Sequence, residues 1–308
     1  MSSSWLIFSI IPPAFFAITN FTEKYVLKRY LKKSSGASFM LLTAVIGLVI
    51  AIPIFFIFYN QIYLDGYGIL LTSLSSFVTA FCWILYAKAL SKDDVTVVIP
   101  LYQTITIFNY ILGLIFLKET LTLLQIVACS LIMLGGISLS LDLTSGKPKL
   151  KKEVFVTMIS CAFLGAVSVL LYKMALLRTN YWGTAFWSYL ALAIFGGLLL
   201  ITVSPWRKEL AFLFRQNRKR VIGISAFNEI IGSGGSLIYN FALLLSPIAL
   251  VSVVSNGFQP FFVLIFGILI TIFLPKLGEE KIAPKHLAHR GIAILIMFLG
   301  TYLLSYNS

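Results

Sequence analysis

A carboxylate inside an apolar stretch is the feature of this chain that most calls for a chemical explanation. Of its eleven acidic residues, all but Glu229 fall at the ends of apolar stretches or between them. Glu229 lies about 12 Å into its stretch at about 1.5 Å per helical residue, beside Asn228 and ahead of Gly232-Ser233-Gly234-Gly235-Ser236. A charge at the centre of a hydrocarbon layer costs at least about 2.5 kcal/mol. Glu229 is therefore a site for a proton or a substrate amine, or else a carboxylate satisfied by a neighbouring helix for packing.

Amides and hydroxyls form a second set. Tyr102, Gln103, Thr106 and Asn109 correspond, at an offset of 153, to Ser255, Asn256, Gln259 and Phe262. Such a stripe can bind a zwitterion without fixed charge, or it can bond helix to helix. Asn20 joins this candidate binding set, together with Trp83 and Tyr239 as aromatic walls. Lys24 and Lys173 each stand near the end of an apolar segment. They either snorkel to the interface or act as matched gates or anion contacts at two mouths.

No catalytic constellation accompanies these residues. His286 and His289 share a basic loop without Cys or acidic ligands at metal spacing. No Gly-rich phosphate loop sits between a strand and a helix. Neither an enzyme nor a bound cofactor or metal is expected.

The positioning elements follow from composition. With 59% hydrophobic and 11% charged residues over 308 positions and a mean hydropathy of +0.96, the chain cannot cover itself with polar surface, so its solvent is lipid. About 20 helical residues cross a bilayer. Ten spans are predicted, near 5–27, 38–58, 68–88, 95–117, 121–141, 154–176, 183–203, 221–243, 248–273 and 290–305. The predicted fold class is thus an all-α integral membrane protein, because continuously apolar runs lack the alternation of membrane strands.

The first run has no preceding Lys or Arg, contains Pro12-Pro13 and ends without a clean cleavage site, so it is expected to stay as a helix, bent at the prolines. The connections near 142–153, 204–220 and 274–289 are expected to be loops. Cys82, Cys129 and Cys161 fall within predicted spans, as small packing residues rather than a disulfide framework.

The sequence is also written twice. Ala17, Lys24, Leu27 and Arg29 meet Ala166, Lys173, Leu176 and Arg178 at an offset of 149, as Gly47 meets Gly196. Tyr86, Ala89 and Leu90 meet Tyr239, Ala242 and Leu243 at 153, and Leu131-Ile132-Met133 meets Leu295-Ile296-Met297 at 164. Five spans per copy would invert the second copy, giving two units, 1–145 and 146–308, around a midplane site.

Lys and Arg divide unevenly between the two faces: 21 of the 24 border the loops after the odd-numbered spans. The positive-inside rule then places both termini outside. The net charge of +13 is explained by anionic headgroups rather than nucleic acid.

Each half also runs through a Tyr-x-x-Ala-Leu stretch, a partly polar fourth helix, an acidic residue just after it, and a Gly-bearing fifth helix. These are Tyr86 to Leu90, Glu119 and Gly135-Gly136 in the first half. In the second they are Tyr239 to Leu243, Glu279-Glu280 and Gly300. In these respects the chain resembles the drug/metabolite transporter superfamily in its ten-helix EamA-type branch.

The resemblance implies a carrier of small metabolites, amino acids or related polar compounds, often exported, with neither enzymatic activity nor a cofactor. It also implies that predicted spans 1, 3, 4, 6, 8 and 9 surround the centre, and a monomer among lipids in a bacterial cytoplasmic membrane is expected. Three departures stand out. The family's fourth-helix proline is present as Pro260, but its partner position is Ile107. The connection before the last span is longer than its counterpart, and ten-helix members are usually drawn with cytoplasmic termini. The mid-helix glutamate of the four-helix relatives has no equivalent beside Pro12, Pro13 and Asn20. A flippase or processing protein for a lipid-linked sugar or phosphate is the alternative.

Overall fold

The structure, a computed structural model, describes residues 4–30, 37–92, 98, 101–140, 151–273 and 284–306. Among them there is no strand. Twelve helices follow one another: α1 Ser4–Ile10, α2 Pro12–Tyr30, α3 Ala37–Ile46, α4 Leu48–Ile57, α5 Gly66–Lys92, α6 Ile105–Leu112, α7 Leu123–Ser140, α8 Lys152–Arg178, α9 Tyr181–Thr202, α10 Ser204–Leu245, α11 Ile248–Phe273 and α12 Pro284–Tyr306.

Seven stretches are long and apolar enough to cross a membrane, and shorter apolar helices lie at Ile105–Leu117, Leu123–Leu139 and Arg290–Tyr306. Large apolar side chains point outward, with Phe56 75%, Leu123 78%, Leu295 70% and Ile201 66% exposed. In water each would forgo roughly 1.5–3 kcal/mol of burial; against acyl chains that loss disappears. The chain is a multi-pass integral membrane protein.

Local chemistry explains the boundaries. Pro12 opens α2, where a missing N–H costs nothing, so the first apolar run breaks at Ile11 into α1 and α2. At the start of α7, Thr122 N–H donates to Gln125 Oε1 at 2.9 Å and Gln125 N–H to Thr122 Oγ1 at 3.3 Å, a capping box. Asn180 caps α9 by accepting from Gly183 N–H at 2.7 Å. α6 ends in a π-turn, Gly113–Leu117, followed by Lys118 in the left-handed region at φ 58°.

Several sequence expectations need correction. The second predicted span is interrupted at Gly47, between α3 and α4. Residues 204–220, expected as a loop, are the first turns of α10. Pro205 sits at its N-terminus, and nothing after it breaks a helix. Leu210, Leu213 and Phe214, at helical spacing, pack with Val26, Phe39 and Leu42, while Arg207, Lys208 and Arg215 face outward. His286 and His289 likewise fall within α12 rather than in a loop. The expected connections at 142–150 and 274–283, with Glu279 and Glu280, lie outside the described residues.

Helix contacts come in pairs under the sequence offsets. α5 packs on α8 as α1 and α2 pack on α10; α6 packs on α8 as α11 packs on α1 and α2; α5 meets α9 as α10 meets α3. α7 with α12, α6 with α11, and α3–α4 with α9 are their own counterparts. A cluster containing Trp5, Ile132, Phe258 and Met297 forms the largest core. There Gly136 lets α7 approach α11 closely, since a Cβ on it would stand 2.7 Å from the Gly257 carbonyl oxygen.

Candidate functional site

A cavity of about 360 Å³ lies among α2, α3, α5, α8, α9, α10, α11 and the segment leading into α6. Its wall includes Asn20, Trp83, Tyr102, Gln103, Glu229, Tyr239, Asn256 and Gln259. These are all but one of the residues expected to bind substrate. Thr106 is the exception: its hydroxyl donates to the Gln103 carbonyl at 2.8 Å and reaches Met133 Sδ at 3.3 Å. Residues 103 and 104 form a turn, so α6 starts only at Ile105, and three-residue spacing no longer puts Gln103 and Thr106 on one face.

Glu229 is 6% exposed. Its Oε1 accepts from Ser233 Oγ at 2.8 Å, one turn along α10, while the Tyr189 hydroxyl donates to the Ser233 carbonyl at 3.3 Å. The break at Gly47 makes room for it: a Cβ there would stand 3.3 Å from Glu229 Oε1 and 2.9 Å from the Ala44 carbonyl oxygen.

A second carboxylate, Glu23, shares the wall. Sequence placed it at a span end, but α2 continues to Tyr30 and keeps it inside. Asn228 Nδ2 donates to its Oε1 at 3.5 Å. Asn228 Oδ1 is buried without a partner.

The amide stripe closes on itself across two helices. Gln103 Nε2 reaches the Asn256 carbonyl at 3.5 Å. Asn256 Nδ2 donates to the Ser252 carbonyl at 2.9 Å and to its hydroxyl at 3.1 Å. Asn109 Nδ2 donates to the same hydroxyl at 2.7 Å. Tyr102 stacks edge-on against Tyr86, centroids 5.7 Å apart.

Hydroxyls from α5 and α8 also reach the wall and were missed in the sequence. Ser75, Thr79 and Ser168 sit at helical spacing on facing segments, which was the available signal. Cys82 and Cys161 are free, with sulfurs 3.2 Å apart.

Lys173 lies outside the cavity wall. Its Nζ donates to Glu119 Oε1 at 2.5 Å and to the Ser246 carbonyl at 2.7 Å. Glu119 Oε2 accepts from Ile248 N–H at 2.8 Å, the first residue of α11. One carboxylate therefore joins the α6–α7 hairpin to α8 and to the α10–α11 hairpin. Both side chains are shielded, 5% and 14% exposed. The side chain of Lys24 is outside the described residues.

The described residues thus form a helical membrane fold around a cavity with many polar side chains on its wall, and no cluster of metal-ligating side chains occurs among them. Residues 3–141, somewhat less than half of the chain, match the EamA-like transporter family, as the resemblance to the drug/metabolite transporter superfamily leads one to expect. Members of the family are transporters rather than enzymes. No curated protein matches the chain. A solved structure described only as "Crystal structure of protein" shares the fold, with a TM-score of 0.67 at 14% identity over 99% of this chain and 96% of the other.

Proposed function

We propose that the protein is a secondary carrier of small polar metabolites, acting as an exporter by alternating access, with two inverted five-helix units, 1–145 and 146–308, crossing the bilayer ten times. The observation that carries this reading is the cavity itself. Its wall is drawn from both halves of the sequence, and the paired helix contacts give each half an equivalent share. Lys173 and Glu119 join the halves outside the cavity wall, on the face that the charge division puts opposite the basic loops, where such a carrier would need a closure. Rocking of the units about the centre would open one face as it closes the other.

A lipid-linked phosphate would call for cations on the wall, whereas the described wall carries two carboxylates and no cation. Counterflow into proteoliposomes, using labelled amino acids and amines against labelled polyprenyl phosphates, tests the proposal. Exchange of polyprenyl phosphate alone would replace it with the flippase reading.

The 21-to-3 division of Lys and Arg supports external termini, in a bacterial cytoplasmic membrane. Cysteines at Ser3 and Ser308, in a background lacking the native three, should react with an impermeant thiol reagent in intact cells. Labelling only after lysis would reverse the orientation.

A further inference from the structure

The described cavity wall is electrostatically one-sided. Glu23 and Glu229 are its charged side chains, and no Lys, Arg or His faces them from the wall. The acceptors cluster. Asn228 stands next to Glu229 in sequence and bonds Glu23 through Nδ2. This leaves Asn228 Oδ1 buried without a donor in a region that already holds two carboxylates. Aromatic side chains share the wall with both acids, among them Tyr86 and Tyr189. Phe16 and Trp83 also line it.

Carboxylates, an orphaned carbonyl oxygen and ring faces all attract the same partner, a positively charged nitrogen bearing N–H donors. A carboxylate group would find neutral donors there, among them Asn20 Nδ2, buried without a partner, but no cation on the described wall and two like charges beside it. Of the other amide donors on the wall, Gln103 and Asn256 are already turned to the Asn256 carbonyl and to Ser252.

We propose that the cavity is a site for amine cations lacking a carboxylate, with Glu23, Glu229 and Asn228 Oδ1 holding the ammonium group and the aromatic side chains holding the organic body. This rests on the reading of the cavity as a carrier's substrate site, and it narrows that reading from amino acids to amines. Glu23 belongs to the first half of the chain and Glu229 to the second, so each half contributes one charge.

Two pairs of probes differ only by a carboxylate: tyramine with tyrosine, and putrescine with ornithine. Calorimetric titration of the purified full-length protein should show each amine binding at least about tenfold more tightly than its amino acid. Glu23→Gln and Glu229→Gln should each weaken tyramine by about tenfold or more, in preparations whose melting temperature is followed alongside. The wild-type comparison needs no variant, so it remains decisive if either variant folds poorly.

Tyrosine or ornithine binding as tightly as its amine would overturn the assignment while leaving a carrier of zwitterions intact. No amine binding at millimolar concentration would overturn it too, as would folded Gln variants with unchanged affinity. The counterflow assay separately decides whether the protein is a carrier at all.

Discussion

Two crossings related by the sequence offsets are built from different materials. Where α5 meets α8, Ser75 Oγ donates to the Ser168 carbonyl at 2.8 Å, Ser168 Oγ to the Ser75 carbonyl at 3.0 Å, and Thr79 Oγ1 lies 2.6 Å from Ser168 Oγ. Cys82 and Cys161 continue the series by bonding each other's carbonyls at 3.3 and 3.2 Å. Where α2 meets α10, rings lie on glycines instead. A Cβ on Gly235 would stand 2.8 Å from Phe15 Cβ and 3.0 Å from Phe16 Cε1, and one on Gly234 would stand 3.3 Å from Phe15 Cε1. Hydrogen bonds fix a register, whereas a ring over a bare backbone slides at little cost. In a rocking carrier the α5–α8 crossing is expected to be the fixed side and the α2–α10 crossing, whose one long side-chain bond runs from Asn228 to Glu23, the moving side, with both carboxylates of the cavity on it.

The largest effect is expected from removing charge on that moving side. Glu229→Gln keeps shape and hydrogen-bonding capacity but cannot exchange a proton, so flux driven by a pH gradient should be abolished, a larger loss than that of binding. Normal pH-driven flux in a monodisperse Gln variant would take Glu229 out of the coupling and leave a facilitator. Lost stability with intact coupling would make it a packing residue.

Breaking the Lys173–Glu119 contact comes next. Lys173→Met strands a shielded carboxylate, at a cost of about 3 kcal/mol. The double variant Lys173→Met/Glu119→Gln should regain much of that stability in denaturant unfolding. If the single variant is as stable as wild type, the pair contributes nothing to closure.

Gly235→Leu fills the sliding contact. Overpacking of this kind costs about 1–3 kcal/mol, and transport should fall further than the melting temperature alone would suggest. Unaltered flux would show that the rings do not move over the glycines. The smallest change is expected on the fixed side. Ser168→Ala removes bonds worth about 0.6 kcal/mol each on average, so stability should drop slightly while flux persists. A transport defect larger than that of Gly235→Leu would invert the assignment of fixed and moving sides.

The sequence made some of this plain and hid the rest, for physical reasons. Apolar length and the doubled pattern are properties of whole segments, so the helical membrane class could be read from composition. The α10–α11 junction at Ser246-Pro247 and the bend at Pro12 are written in local chemistry. The break at Gly47 is not, because Gly is common in membrane helices and only the approach of Glu229 from another helix reveals its use. Residues 204–220 were mistaken for a loop because their charge masked an apolar stripe that needs α2 and α3 as partners. Glu23 was misplaced by a helix end drawn too early, and Thr106 by a helix start drawn too early. Each of these errors concerns where a regular helix begins or stops, or what it meets, and that is decided by contacts distant in sequence.

Glu119 has one further consequence. The same carboxylate holds the ammonium of Lys173 and the first free amide of α11, so losing Lys173 alone would leave a bare charge in a shielded place, and losing the amide alone an unpaired N–H. The two are expected to let go together, with water taking their place. In a carrier, hydration of that contact and separation of the three helices would then be one event, and a half-open, leaking pore would not be a resting point.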